Sequence, residues 1–293
     1  MSDHLTFENL TVGEAQRVCV PVLKAANIDE PVMETRMLLG FVLGGGPERV
    51  LADRDNTLTS QQSKLLSDIV GQRSHRVPMS HILGQREFWS MIFKVTGDTL
   101  TPRPDTETLV EAVLENVSPP PKRILDLGTG TGCILLALLS EWGDAQGVGV
   151  DVSDKALAVA LDNAQSHKLD VRASFVKNDW EQSEWTDVWS EPFDVVVSNP
   201  PYIPQADIAN LDVDVRDYEP MSALVGGDDG LDAYRRITDG LNSLISPGGV
   251  VGFEVGIDQA GDVAGILERA GFRVLETRND LGGIPRAVIG CKT

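Results

Sequence analysis

From about residue 122 onward, strand-forming runs alternate with runs of helical period, and this alternation limits the possible folds more than any other feature. Strand-like stretches fall at 123–127, 146–151, 173–177, 193–198, 249–255, 273–277 and 287–290. Helical stretches at 133–141, 155–167, 231–244 and 259–270 lie between them. Strands that alternate with helices pair in parallel through right-handed crossovers. The expected class is therefore α/β, a doubly wound, mostly parallel, seven-stranded Rossmann-like sheet. In such sheets ligands sit beyond the carboxyl ends of the strands, near the point where strand order reverses. Functional residues should accordingly follow the strands directly.

The chain before this region reads differently. Residues 5–78 are helical in pattern: Leu5-Thr6 opens the periodicity, and Val18, Val22, Leu23 and Ala26 fall on one face. Pro31 precedes Met33, Met37, Leu38 and Phe41, as a first-turn proline would, and Gly44-Gly45-Gly46-Pro47 stops that helix. Thr59-Ser60-Gln61-Gln62 opens a third helix carrying Leu65, Leu66, Ile69 and Val70. Phe88, Trp89, Ile92, Phe93 and Val95, with the turn signal Thr96-Gly97-Asp98, indicate a β-hairpin. Pro102 and Pro104 then hold the chain extended before a helix that Asp105 or Thr106 would cap. The expected organisation is a small helical bundle over 1–80, a hairpin linker over 81–104 and the α/β domain over 105–293. The bundle carries no chemical motif; it docks a substrate or only stabilises the chain.

Charge and cysteine usage narrow the function. Residues 1–98 hold 10 Lys/Arg against 12 Asp/Glu, whereas residues 99–293 hold 15 against 32. A protein that grips nucleic acid needs a basic surface to displace counterions. The acidic field here repels DNA and RNA and attracts a basic protein, unless it serves solubility alone. Three scattered cysteines, Cys19, Cys133 and Cys291, argue against a disulfide framework and for a reducing compartment. The segment Met1–Glu8 lacks the basic and apolar regions of an export signal, and the longest apolar run, 133–139, is too short to span a bilayer. A cytoplasmic protein is expected.

The first α/β strand runs into Asp126-Leu127-Gly128-Thr129-Gly130-Thr131-Gly132. Alternate glycines let the backbone turn tightly and approach a ligand. The spacing is not the dinucleotide fingerprint, which would need glycine at position 133 or 135. Asp151 ends the second strand, 23 residues after Gly128, where a carboxylate accepts ribose hydroxyls. This combination suits an adenosine-type cofactor without phosphates; the alternative is a plain strand-to-helix connection. Trp180, after the third strand, is placed to stack on the adenine or to pack in the core.

The fourth strand runs into Asn199-Pro200-Pro201-Tyr202. Amide nitrogen is a poor nucleophile because its lone pair is delocalised into the carbonyl. A site that methylates it must accept both N–H groups and align that lone pair with the methyl carbon. Asn199 offers a side-chain acceptor, Pro200 a backbone carbonyl fixed by successive prolines, and Tyr202 an aromatic wall. Positioning would do most of the work, without a strong base. The alternative is a turn after a buried strand.

Together, 126–132, Asp151 and Asn199–Tyr202 resemble the motifs of amino-group S-adenosylmethionine-dependent methyltransferases. Gly84–Trp89, Thr101–Glu107, Tyr218-Glu219-Pro220 with Ala223-Leu224, and Gly226–Leu231 narrow the resemblance to the PrmC (HemK) family of peptide chain release factor glutamine N5-methyltransferases. The likeness spans nearly the whole chain and is strongest after residue 78. It implies methyl transfer from S-adenosylmethionine to the glutamine of the GGQ loop of class-1 release factors. The acidic charge and the short apolar runs separately lead to the expectation of no nucleic-acid or membrane partner, and a monomer is expected. It places the cofactor on Gly128, Thr129, Gly130, Thr131, Gly132, Asp151, Trp180 and Asn199, and the glutamine on Asn199, Pro200, Pro201 and Tyr202. It has Arg103 and Glu107 bracing the edge of the site, or forming a structural ion pair. Ile284-Pro285 before Arg286 departs from the family's commoner ending. A ribosomal-protein glutamine methyltransferase would share every motif, and a DNA or rRNA amino methyltransferase would conflict with the acidic charge.

His4, His75, His81 and His167 lack metal-ligand spacing, so no metal is expected. Cys133 is expected as a small core residue and Glu254 as structural. Asp207, Asp212, Asp214, Asp217 and Glu219 form an acidic segment, either solvated or facing a basic partner.

Overall fold

A computed structural model describes residues 6–293; the expectations for Leu5, His4 and the start of the export-signal segment lie outside them. The chain divides into two compact units, one of residues up to Gly84 together with Asp212–Tyr218, the other of Gln85–Leu211 and Glu219–Thr293.

The first unit is helical: α1 (Val12–Ala25), α2 (Pro31–Val42), α3 (Arg49–Ala52), α4 (Ser60–Ser74) and α5 (Met79–Leu83). Thr11 and Glu14 form a reciprocal capping box at the start of α1, and Thr59 and Gln62 do the same for α4. The buried face of α1 is Val12, Ala15, Cys19 and Leu23, whereas Val18 is exposed. The sequence pattern had put that face a step too far round. Small Ala15 and Cys19 give too weak a hydrophobic signal to mark the side that packs, yet their size lets neighbouring helices come close. Leu38, Leu39 and Val42 of α2 and Leu66, Ile69 and Val70 of α4 complete this core. The same unit takes in the short helix Val213–Arg216. Nearly buried Arg73 bonds Glu34 through Nε at 2.5 Å and Asp214 through Nη1 at 2.7 Å, and Arg76 pairs with the other Asp214 oxygen. Tyr218 donates its hydroxyl to the His75 carbonyl at 2.7 Å.

The second unit opens with a two-stranded hairpin, β1 (Gln85–Phe88) and β2 (Met91–Lys94). The chain reverses at Trp89-Ser90, both at positive φ, and not at Thr96-Gly97-Asp98 as the turn residues suggested. A left-handed Trp-Ser pair carries no local sequence signal; tertiary bonds hold it. Trp89 donates its backbone N–H to Glu107 at 2.7 Å and its indole N–H to Glu141 at 2.8 Å. Residues 104–106 form a short 3-10 turn leading into α6 (Glu107–Asn116). Neither Asp105 nor Thr106 caps that helix by its side chain. Asp105 pairs with Arg286 at 3.3 Å instead.

The sheet follows with β3 (Arg123–Leu127), α7 (Cys133–Glu141), β4 (Gln146–Asp151), α8 (Asp154–Ser166), β5 (Ala173–Lys177) and β6 (Phe193–Ser198). The short helix α9 is Val213–Arg216 of the first unit; α10 (Asp232–Leu244), β7 (Ile245–Glu254), α11 (Ala260–Arg269), β8 (Phe272–Asn279) and β9 (Pro285–Lys292) complete the chain. Strand order is β5-β4-β3-β6-β7-β9-β8, with β9 antiparallel to both neighbours and the other pairs parallel. The fold class read from the alternation is the one observed.

Each central strand is apolar on both faces because helices cover both. Ile124, Val195, Val197 and Ile289 face one core with α6 and α7, and Leu125, Leu127, Val196 and Val288 face the other with α10 and α11. Asn163, almost fully buried within α8, ties hairpin to sheet. It accepts the Lys94 N–H at 2.7 Å and donates to the carbonyls of Lys94 at 3.1 Å and Thr131 at 2.9 Å. Asn163→Leu, which keeps the size and strands these backbone groups, is expected to cost about 2 kcal/mol or more in urea unfolding.

Candidate active site

The chain runs β3, β4, β5 in one direction across the sheet and then returns to place β6 on the other flank of β3. The carboxyl ends of β3 and β6 therefore form the switch point, where the flanking helices diverge and leave a crevice. The Ser198 hydroxyl donates to the Leu127 carbonyl at 2.6 Å and locks the two strand ends side by side. The glycine loop and the Asn-Pro-Pro-Tyr loop leave the sheet next to one another.

The glycine loop is set from beneath by β4. Gly128 and Thr129 donate their N–H groups to the Val150 carbonyl at 2.9 and 2.8 Å. Asp151 accepts from Gly130 N–H at 3.0 Å with one oxygen and from Ser153 N–H at 2.9 Å with the other. Gly128 sits at φ +73°, and a Cβ there would lie 3.2 Å from the Trp180 ring. Glycine is needed at this point both for the backbone and for the ring. Gly132, also left-handed, begins α7 and packs against Ala160.

These elements enclose a cavity of about 400 Å³. Gly128, Thr129, Gly130, Thr131, Asp151, Trp180, Asn199 and Pro201 all line it. Gly132, Pro200 and Tyr202 do not: Gly132 serves the helix start, Pro200 is buried, and Tyr202 packs against the α10–α11 core. The Asn199 side-chain amide is half-buried in the wall and bonds no group among the described residues. Residues 97–103 also line it, so Gly97 and Asp98 of the turn signal border the site.

The electrostatics are acidic. Asp98, Asp151, Asp179 and Glu181 line the cavity against one guanidinium, Arg103. Burial pushes the Asp151 carboxyl above its ordinary range, with the Ser153 and Gly130 N–H groups pulling it back. Beneath the floor lies fully buried Asp126, raised to about 7 by desolvation and partly offset by the Thr129 hydroxyl, which donates to it at 2.6 Å. Glu254 is likewise pushed up to about 7 by burial, against the pull of the Thr106 hydroxyl; its Oε2 has no hydrogen-bond partner among the described residues. Cys133, on the same floor, is raised to about 12 by burial and is no nucleophile.

Arg103 and Glu107 do not pair. Arg103 Nη2 bonds Glu219 at 2.8 Å, and Glu107 holds the hairpin reversal. Glu219, nearly inaccessible, also accepts the Thr101 N–H at 3.3 Å, and so fixes the wall at 101–103. Of the acidic segment, Asp214, Asp217 and Glu219 are thus engaged within the fold, Asp217 by Arg216 at 2.8 Å. His75 and His167 bond the Gly71 and Ile92 carbonyls, and no metal-binding cluster occurs among the described residues. No helix among the described residues is long and apolar enough to cross a membrane. Sequence reasoning missed Asn163 and Gln259, whose side chains hold the two loops. Each is a polar residue at a helix that presents its side chain to loop carbonyls, a signal too common to single out.

The buried carboxyl under the glycine loop predicts a pH dependence. Asp126 keeps its proton in the fold up to about pH 7, whereas the unfolded chain sheds it near 3.8. The stability this contributes is complete below the lower value and is lost as pH rises to the higher one. Relative to Asp126→Asn, the wild type should lose on the order of 3 kcal/mol between about pH 4.5 and 7.5. Parallel urea-unfolding stabilities over that range would contradict the assignment.

Residues 120–225 match the methyltransferase domain family, and residues 14–84 match the PrmC N-terminal domain. The release factor glutamine methyltransferase of Rhodospirillum rubrum is 45% identical over 91% of this chain and 81% of its own length. The protein of the same description from Caulobacter vibrioides is 39% identical over 97% of both chains. The crystal structure of a methyltransferase from Pyrococcus furiosus superposes with a TM-score of 0.54 at 16% identity, covering 76% of this chain and 98% of that one, a likeness of fold. Identity of this degree across nearly the full length, helical unit included, places the chain in the release factor glutamine methyltransferase family.

Proposed function

We propose that this chain transfers a methyl group from S-adenosylmethionine to the side-chain N5 of the glutamine in the GGQ loop of class-1 peptide chain release factors. The observation that carries this reading is the Asn199 amide, unpaired among the described residues, in the wall of the cavity that the glycine loop also lines. The relatives described as release factor glutamine methyltransferases support the substrate.

The residues present fit the cofactor. A cavity of about 400 Å³ suits an adenosine-sized ligand. Its lining of four carboxylates against one guanidinium favours a cationic guest and disfavours a pyrophosphate. Asp151 would take the ribose hydroxyls, Trp180 would face the adenine, and Gly128–Thr131 would pass along the ligand. When bound, S-adenosylmethionine supplies a methyl group made electrophilic by its sulfonium.

The protein's part is orientation. A glutamine amide entering the cavity gives one N–H to the Asn199 side-chain oxygen. The other N–H would go to the Pro200 carbonyl, which two successive prolines hold rigid just behind the cavity that Asn199 and Pro201 line. Both bonds draw the nitrogen lone pair toward the cofactor. The Tyr202 hydroxyl does not act as a base: burial raises it above its ordinary value, with Glu254 adding to the shift. The methylated nitrogen is acidic enough to give its proton to water. The acidic second unit would attract a basic partner and speed the encounter.

Labelled methyl transfer to purified release factor, with a Gln→Ala change in its GGQ loop as control, tests the reading. Label on the unaltered factor alone is expected; label on ribosomal protein or RNA instead would overturn the substrate. Asn199→Ala should abolish turnover while cofactor binding survives in part, as read by calorimetry. Trp180→Ala should weaken cofactor affinity by about tenfold, the loss of one stacking contact.

A further inference from the structure

We infer that Gln259 is a positioning residue for the transfer, its side-chain amide clamping the reactive loop by the Tyr202 carbonyl; this rests on the reading of Asn199–Tyr202 as the reactive loop. Gln259 immediately precedes α11 and does not line the cavity. Its Nε2 donates to the Tyr202 carbonyl at 2.9 Å and to the Gly230 carbonyl at 3.4 Å. Its Oε1 accepts the Gly256 N–H at 3.0 Å. That last bond fixes the amide's orientation: with oxygen turned to an N–H donor, the NH2 must face the two carbonyls. Three separate stretches of chain, the reactive loop, the turn at Gly230 and the end of β7, converge on one amide.

The backbone around this amide is shaped to it. Gly230 sits at φ +76°, and a Cβ there would lie 2.3 Å from the Tyr202 oxygen and 2.5 Å from Gln259 Nε2. A Cβ on Gly256 would lie 2.7 Å from Gln259 Oε1 and 3.0 Å from the Tyr202 ring. No other residue type fits at either position without pushing the clamp or the loop. Loop residues 199–201 are thereby suspended between two fixed points. At one end, Ser198 is pinned to β3. At the other, Gln259 holds Tyr202, and Ile203 pairs with the 224–226 backbone at 2.9 Å in both directions. The two acceptors that must align the amide nitrogen, the Asn199 side chain and the Pro200 carbonyl, lie between these anchors. Release at the Tyr202 end would let them drift while the glycine loop and Asp151 stay in place.

Gln259→Met keeps the length and removes all three bonds; Gln259→Glu keeps the acceptor and replaces the donor. Wild type and variants would be compared for methyl transfer to release factor, cofactor affinity, thermal unfolding and hydrogen exchange of the peptide over 199–206. For both variants kcat should fall by about 30-fold or more, as for a displacement near 1 Å. Cofactor affinity should fall far less than kcat, because the glycine loop and Asp151 are untouched and Asn199 is the one cofactor contact on the released loop. Exchange of the loop amides should quicken. The Glu variant should regain activity as pH falls, since a protonated carboxyl can again donate to the Tyr202 carbonyl. Unchanged kcat, or cofactor affinity lost in step with kcat, would overturn the inference. If the wild type is itself inactive on release factor, the substrate reading fails. The exchange measurement then decides alone: unchanged protection in the variants would refute the clamp.

Discussion

Everything at the site depends on the parallel pairing of β3 with β6. Two strands that run side by side end side by side, and a glycine loop leaving one must border whatever loop leaves the other. The 2.6 Å bond from the Ser198 hydroxyl to the Leu127 carbonyl tightens that adjacency at its last rung. On the proposed reading, a cofactor held on one loop and a nucleophile held on the other would meet without either loop reaching across the molecule. The rigidity comes from strands buried on both faces, the part of such a domain that opens least.

The fold also places charge out of water. Asp126 and Glu254 are carboxyls in a setting that favours their neutral forms, one under the glycine loop and one at the end of β7. Register places Ser198 opposite Phe253, so Glu254 ends its strand beside the start of the reactive loop. Burying such groups costs stability unless they stay protonated or find partners. Asp151 differs: two backbone N–H donors hold it at the cavity wall, where part of its surface still meets solvent. An acidic lining around a single arginine is the polarity that a positively charged methyl donor requires.

The fold was legible because its signals are local. Seven short strand-forming stretches, most of them rich in apolar residues, mark the strands, and three alternating glycines mark a tight strand-to-helix loop. Asn-Pro-Pro-Tyr was legible for the same reason, since two prolines restrict the backbone wherever they stand. What sequence could not supply is what distant residues do to one another. Trp89-Ser90 reverses the hairpin only because Glu107 and Glu141 hold it. Arg103 meets Glu219 across 116 positions, not its near neighbour Glu107. Gln259 reaches Tyr202 across 57, and Asn163 reaches Lys94 across 69. The α1 face was misread because Ala15 and Cys19 bury little apolar area, and periodicity weighs area.

The membership of Asp212–Tyr218 in the first unit bears on how separable the halves are. The chain passes between units at 84–85, again at 211–212 and again at 218–219, so the helical unit is built from two discontinuous pieces of polypeptide. Cutting the gene once, after the codon for Gly84, would leave the small helix carrying Asp214 behind without Arg73 and Arg76, and would strip the remaining bundle of the carboxylate those arginines share. A cut that keeps the whole helical unit would therefore have to take both pieces, the stretch up to Gly84 and the segment Asp212–Tyr218.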